Sequence, residues 1–253
     1  MAQSERAAGG KSPRRGGGVT HDAIESIREL IASGQWGPGT RLPREADLAA
    51  QLGLSRNSLR EAVRALSLAR VLEVRQGDGT YVSSLEPHDL LEPTRFATHL
   101  LRGSTVLELF EVRRMLEPEA AAMTALRADD GVRAALRLEL DRMFAAGDRV
   151  EDLVEADTAF HDVIGQAPGN AVLRSLLQSL STSTVRARLW HGMADRVALD
   201  TARAEHTRIY EAIVAGDPDL ARAATTMHIA SNETWLRDHL APTDDVPLRD
   251  GDA

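Results

Sequence analysis

Four side chains in the C-terminal half of the sequence have the chemistry of metal ligands. Asp157 and His161 stand one helical turn apart in a stretch that reads as helix, so both project from one face. His206 and His228 fall on the next-but-one predicted helix and on the one after it. One carboxylate and three imidazoles suit a divalent ion such as Zn²⁺, Ni²⁺, Mn²⁺ or Fe²⁺, with zinc the first expectation. Spacing alone favours a plainer reading, surface histidines with a capping or paired aspartate, because residues on three helices need not converge. His21, His88, His99, His191 and His239 show no comparable pairing and read as surface or core residues. The chain has no cysteine, which excludes disulfides, zinc fingers and thiol chemistry.

A second constellation lies near the N-terminus. Arg56, Arg60 and Arg64 repeat every four residues along one predicted helix face, beside Asn57, while Leu59, Ala62, Val63 and Leu66 form its core stripe. Arginine can bond guanine O6 and N7 with two donors, and asparagine can address adenine. A capped helix start carrying both is where a helix-turn-helix meets base edges. The pattern taken alone fits a solvated arginine-rich face as well.

The elements that must position these groups follow from periodicity and breakers. A first helix, capped by Thr20 or His21, runs to about Ala32; Trp36-Gly37-Pro38-Gly39 turns the chain; Arg44–Leu52 forms a short helix; and Ser55 caps a third that reaches about Ala69. Val71–Arg75 and Thr80–Val82, joined through Gln-Gly-Asp-Gly, read as a β-hairpin. After a linker at 83–87 the chain reads as helical throughout, over 88–102, 104–127, 130–146, 149–165, 170–190, 196–215 and 218–239, with Gly103, Gly147, Pro168-Gly169, Gly192 and Gly216 as breaks. The expected fold is mostly α: a winged helix-turn-helix over 19–83 and an all-α antiparallel bundle over 84–240. Residues 1–18 read as a disordered tail and 241–253 as a flexible one.

The net charge of −8 is unevenly spread. Residues 1–85 carry 12 basic and 9 acidic side chains, whereas 86–253 carry 18 and 29. A basic head on an acidic body suits a phosphate-binding module joined to a regulatory one. No apolar run approaches the ~18 residues needed to span a membrane, and no secretory signal is visible, so a cytoplasmic location is expected.

The string TRLPREADLAAQLGLSRNSLREAVRALSLARVLEVRQGDGTYV resembles the GntR family of bacterial winged helix-turn-helix regulators. Leu42-Pro43, Leu48-Ala49, Ser55-Arg56, Arg60-Glu61-Ala62 and Gly77-x-Gly79-Thr80 stand in register with the family pattern. The resemblance implies operator contacts from Arg56, Asn57 and Arg60, with Gly77 at the wing tip. Ser58, Arg64 and Gln76 complete the expected DNA-facing set. Ala46 departs from the family, which often has arginine there, and Arg44 is expected to reach phosphate instead.

Farther on, LELFEVRRMLEPEAA, EADTAFHDVIGQAPGN, AEHTRIYEAIVAGD and AATTMHIA resemble the FCD effector domain of the FadR-like branch. That resemblance implies a metal on Asp157, His161, His206 and His228, with no ligand missing. It also implies that Arg113 faces an effector and can clamp a carboxylate with two parallel hydrogen bonds. The alternative for Arg113 is a helix pair with Glu117. Arg186, Arg188 and Arg114 are further candidates, and Asn232, one turn beyond His228, is placed to face the pocket.

The implied protein is a homodimeric regulator, most often a repressor in this family, which binds a double-stranded, pseudo-palindromic operator and responds to a small carboxylate such as a sugar acid or hydroxy acid. Two other readings stay open. One is a metal-dependent hydrolase or lyase with a DNA-binding head, although no catalytic base stands out beside the ligands. The other is a regulator whose metal is purely structural.

Overall fold

The computed structural model describes residues 16–98, 100–101, 105–194 and 197–239, and the chain divides into two units between Pro93 and Thr94. The terminal tails beyond residues 16 and 239, and His99, lie outside the described residues.

In the first unit, α1 (Gly16–Ala32) is followed by α2 (Glu45–Leu52), α3 (Arg56–Leu68), β1 (Leu72–Arg75) and β2 (Gly79–Val82). Ser55 caps α3 by accepting from the backbone N–H of Ser58 at 3.1 Å, as the sequence predicts. Leu59, Ala62, Val63 and Leu66 of α3 are buried with Ala23 and Ile27 of α1, Leu48 and Ala49 of α2, and Leu72 and Val82 of the hairpin. One apolar stripe on each helix therefore closes the core and leaves the arginine face of α3 outside. β1 and β2 are antiparallel, pairing Leu72 with Val82 and Arg75 with Gly79, so Gln76, Gly77 and Asp78 form the tip. Gly77 has φ +78°, a left-handed conformation that glycine adopts without strain.

One expectation fails at the start of this unit. The first helix runs back to Gly16, so Thr20 and His21 lie within it rather than at its start. Gly16–Gly18, read as tail, are helical; nothing in the structure explains why so glycine-rich a turn extends the helix.

The second unit takes in the end of α4 (Pro87–Thr98), α5 (Thr105–Arg127), α6 (Asp130–Ala145), α7 (Val150–Gln166), α8 (Ala171–Ala194), α9 (Val197–Ala215) and α10 (Pro218–His239). The linker and helical domain were expected to begin at 83–87. Instead α4 crosses the division, and an Arg70–Glu92 ion pair at 2.5 Å ties its N-terminal part to the first unit. No helix among the described residues is long and apolar enough to cross a membrane.

The core of the second unit joins Ala120, Ala121 and Ala125 of α5, Leu136, Leu140 and Met143 of α6, Phe160 and Ile164 of α7, and Ile209 and Ile213 of α9. Gly192, read as a helix break, sits inside α8. A Cβ there would stand 2.7 Å from Val150 Cγ1 and 3.1 Å from Leu199 Cδ2, so this glycine permits close packing of α8 against its neighbours. α8 accordingly runs through Gly192 to Ala194, where the sequence places its end near residue 190.

Candidate functional site

On α7 the buried positions include Val150, Leu153, Val154, Asp157, Phe160, His161 and Ile164, a stripe at helical spacing flanked by the small residues Ala156 and Gly165. Asp157 and His161 occupy that stripe among apolar residues, so the periodicity that buries Phe160 buries them too. His206 lies on the α9 stripe with Arg203 and Ile209, and His228 on the α10 stripe with Thr225 and Ile229. The three stripes meet. One donor atom from each of Asp157, His161, His206 and His228 lies within 4.8 Å of every other, and all four residues are buried. Phe160 packs edge-on to His206, with centroids 5.1 Å apart, and to His161 at 6.0 Å, which fixes both rings from the apolar side.

The outward-facing nitrogen of each ring has an acceptor. His161 Nδ1 lies 2.9 Å from Glu117 Oε2, His206 Nδ1 lies 2.7 Å from the Ala202 carbonyl, and His228 Nδ1 lies 2.9 Å from Glu205 Oε2. A carbonyl and two carboxylates accept, so Nδ1 carries the proton in each imidazole and Nε2 presents a lone pair. Those lone pairs face one another: His161 Nε2 is 3.3 Å from His228 Nε2, and His206 Nε2 is 3.0 Å from Asp157 Oδ1. Among the described residues His206 Nε2 is buried without a hydrogen-bond partner.

Protonation of His206 or His228 does not resolve the conflict. Burial, together with the neighbouring His161, pulls the His206 imidazole down to about 3, and burial with His206 and His161 alongside takes His228 well below its ordinary value. A divalent cation does resolve it. Nitrogen and oxygen donors at about 2.0–2.2 Å from one ion stand roughly 3–4 Å from each other; three of the pairs here lie at 3.0, 3.3 and 3.9 Å, and all lie within 4.8 Å. Asp157, His161, His206 and His228 thus fit such an ion, and Glu117, Glu205 and the Ala202 carbonyl are the outer partners that orient the rings.

Arg113 is buried on α5, and its fork, expected to face an effector, is already closed. Its Nε and Nη2 donate to the two oxygens of Glu117, and Nη1 donates to Thr184 Oγ1 at 3.0 Å. Burial alone would raise the Glu117 carboxyl, yet the charge of Arg113 and the adjacent His161 hold it well below the usual carboxylate range. The helix-pair alternative is therefore present, and it is buried: Arg113 fixes Glu117, which fixes His161.

Arg186 is exposed and stands away from the ligands. The helix phase explains the miss, because two residues farther on Arg188 points inward and its Nη1 abuts Asp157 Oδ2. Arg114 is half-exposed and bonds Glu233 at 3.1 Å. Asn232 does border the cluster: it lines a cavity of about 30 Å³ with Asp157, Arg188, His191 and His228. Its Oδ1 lies 3.2 Å from His191 Nδ1, and its amide donates to the His228 carbonyl at 3.1 Å. His191, set aside in the sequence reading, thus belongs to this wall. A larger cavity of about 580 Å³ between α7 and α8 has Glu117, His161, Thr158 and Ser181 on its wall. Glu205 was missed too, although it directly precedes His206 in AEHTRIYEAIVAGD.

In the first unit Arg56, Asn57, Arg60 and Arg64 are all exposed on α3. Arg60 pairs with Glu45 at 3.1 Å and Arg64 with Glu61 at 2.7 Å, both in solvent, so both contacts are weak and exchangeable. Ser58 is half-buried, and its hydroxyl lies 2.9 Å from that of the capping Ser55. Arg44 is the exposed residue preceding α2. Gln76 and Gly77 are exposed at the hairpin tip, where a concavity of about 480 Å³ runs between Arg44, α3 and the wing. Arg41, absent from the expected set, bonds the Asp78 carbonyl and braces the wing; a Cβ at Gly79 would meet its Nε at 2.9 Å.

Comparison with known proteins agrees with both units. Residues 20–82 match the model described as bacterial regulatory proteins, gntR family, and residues 108–231 match the FCD domain. The HTH-type transcriptional regulator LutR of Bacillus subtilis is 31% identical over 216 residues, 82% of this chain and 96% of its own length. The galactonate operon transcriptional repressor of Escherichia coli is 29% identical over 225 residues, covering 87% of this chain and 97% of that protein. Among solved structures, a GntR protein of Streptococcus agalactiae superposes with a TM-score of 0.60 at 29% identity, covering 85% of this chain and 99% of that one. The chain belongs to the GntR family of bacterial transcriptional regulators, in the architecture that joins a winged helix-turn-helix DNA-binding domain to a helical FCD domain.

Proposed function

We propose that this regulator binds a divalent metal, with zinc the first expectation, through Asp157, His161, His206 and His228, and that a small organic acid bound there sets its affinity for an operator. The observation that carries the reading is the set of three imidazoles whose Nδ1 protons are all directed outward, which leaves three Nε2 lone pairs and a carboxylate converging in a buried space. The metal, when bound, supplies positive charge and open coordination positions for a carboxylate. Glu117, Glu205 and Ala202 hold the rings in the ligating tautomer, and Asn232 stands beside the ligands to receive a polar group of the acid. A relative named for galactonate, itself a sugar acid, supports a hydroxy- or sugar-acid effector.

DNA recognition is assigned to Arg56, Asn57 and Arg60 on base edges, Arg44 and Arg64 on phosphates, and Gln76 and Gly77 at the wing. The protein acts as a cytoplasmic homodimer on a pseudo-palindromic site, since one helix-turn-helix covers too few base pairs for specificity. Repression is the proposed mode. An enzymatic reading is disfavoured because the two carboxylates that touch the cluster, Glu117 and Glu205, each hold an imidazole and are not free as bases.

The test is fluorescence anisotropy with duplex DNA from upstream of the protein's own gene and its neighbours. Zinc-loaded protein should bind one such duplex, and a member of a panel of hydroxy and sugar acids should change the affinity at least several-fold. Metal-stripped protein should not respond. A response that persists undiminished after stripping contradicts the proposal.

A further inference from the structure

The buried charges around the cluster do not balance once a cation is present. Asp157 and Glu117 offset Arg113 and Arg188, four buried side chains in all. A divalent ion adds two positive charges, and Glu205 contributes one negative charge at most. At least one positive charge is left in a space where buried ions must be paired.

Arg188 is the group with capacity to answer it. It is 5% exposed. Its Nη2 is fixed by the Ser181 carbonyl at 2.9 Å, Ser181 Oγ at 3.2 Å and Thr158 Oγ1 at 3.2 Å. Its Nη1 abuts Asp157 Oδ2, and among the described residues its Nε is buried with no hydrogen-bond partner. Arg113, by contrast, is saturated by Glu117 and Thr184. The small cavity bordered by Arg188, Asn232, His191, Asp157 and His228 has about 30 Å³. Since one water needs roughly 10–15 Å³ of such space, a carboxylate-sized group can enter.

Resting on the metal-and-acid reading above, we infer that Arg188, not Arg113, receives the carboxylate of the effector, in the small cavity between α8 and α10. Arg113 is a positioning residue that acts on the metal through Glu117 and His161. The site selects an acid whose head is a single carboxylate; an adjacent hydroxyl can reach Asn232 or His191.

The test uses the full chain loaded with cobalt(II), whose visible absorption reports anion binding, with acetate and glycolate as probes. Wild type should show saturable spectral changes with both. Arg188→Gln should keep cobalt stoichiometry and the anion-free spectrum, but bind both anions about 10- to 100-fold more weakly, the loss expected for a charge-assisted hydrogen bond. Arg188→Lys, which keeps the charge, should recover part of that loss; it also serves as the deciding variant if the glutamine protein does not fold. Anion binding at wild-type strength in the folded variants overturns the assignment of Arg188 while leaving the metal-and-acid reading intact. Loss of cobalt together with the anions also overturns it, because Arg188 would then only orient Asp157. A wild-type protein that takes up no cobalt, or whose cobalt spectrum ignores both anions, refutes the underlying reading and this inference with it.

Discussion

Glu205 on α9 accepts the Nδ1 proton of His228 on α10 across 2.9 Å. The bond locks one ligand ring from outside the cluster and links the two helices that carry His206 and His228. The Glu205 side chain is only 12% exposed, so its bond to the imidazole does more than an exposed one would. Glu205→Ala should therefore weaken metal binding about 10- to 100-fold, the usual effect of losing an outer partner. Glu205→Gln, which still offers an oxygen, should lose less. Chelator competition measures both; an unchanged affinity in Glu205→Ala means the ring is oriented by something else.

Acid should destabilise the metal-free protein. His206 and His228 have folded values depressed below the ordinary imidazole range, so the unfolded chain binds protons that the native chain refuses. Their stabilising effect is complete above the unfolded value, near pH 6.5, and is lost as pH falls toward about 3. Two such groups give a slope of up to roughly 2.7 kcal/mol per pH unit. Glu117, also depressed, adds to the loss below the ordinary carboxylate range. Urea unfolding of stripped protein between about pH 7.5 and 5.5, roughly one unit either side of the free imidazole value, should show falling stability, and His206→Phe should flatten the curve. A stability that rises on acidification contradicts the buried neutral imidazoles.

At the DNA surface, Arg56→Ala and Arg60→Ala should each cost about 1–3 kcal/mol at the operator if they bond base edges. Arg64→Ala should weaken specific and nonspecific binding alike. Arg60 must first leave Glu45, so Glu45→Ala should tighten binding slightly. Operator affinities unchanged by both Arg56→Ala and Arg60→Ala would remove α3 from base recognition.

Gly192→Ala should destabilise the helical unit by about 1–3 kcal/mol, because the new methyl group meets Val150 and Leu199 side chains with little room to relax. Gly77→Ala has open space around it, so its cost is confined to the left-handed backbone, roughly 1 kcal/mol. Thermal melts compare the two; a neutral Gly192→Ala would mean that the α8 contact yields.

The sequence carried the positions of most helices because each buries a stripe at helical spacing, as with Leu59, Ala62, Val63 and Leu66. It singled out Asp157, His161, His206 and His228 through motif resemblance, since spacing cannot show that α7, α9 and α10 converge. Gly192 was misread because a glycine that breaks a helix and one that admits a neighbour look alike until the neighbour is known. Arg186 and Arg188 differ by about 200° of helix rotation, which no motif resolved. The outer partners Glu117 and Glu205 were hidden for a related reason: their role depends on the direction in which each imidazole turns its Nδ1.

The cluster of Asp157, His161, His206 and His228 is the point on which everything else in the helical unit depends. Elemental analysis of the zinc-loaded, desalted full chain addresses it most directly. Wild type should retain about one divalent ion per chain, as one four-ligand centre implies, and the folded His161→Ala/His206→Ala double variant should retain none. Equal metal in the two proteins would contradict the site.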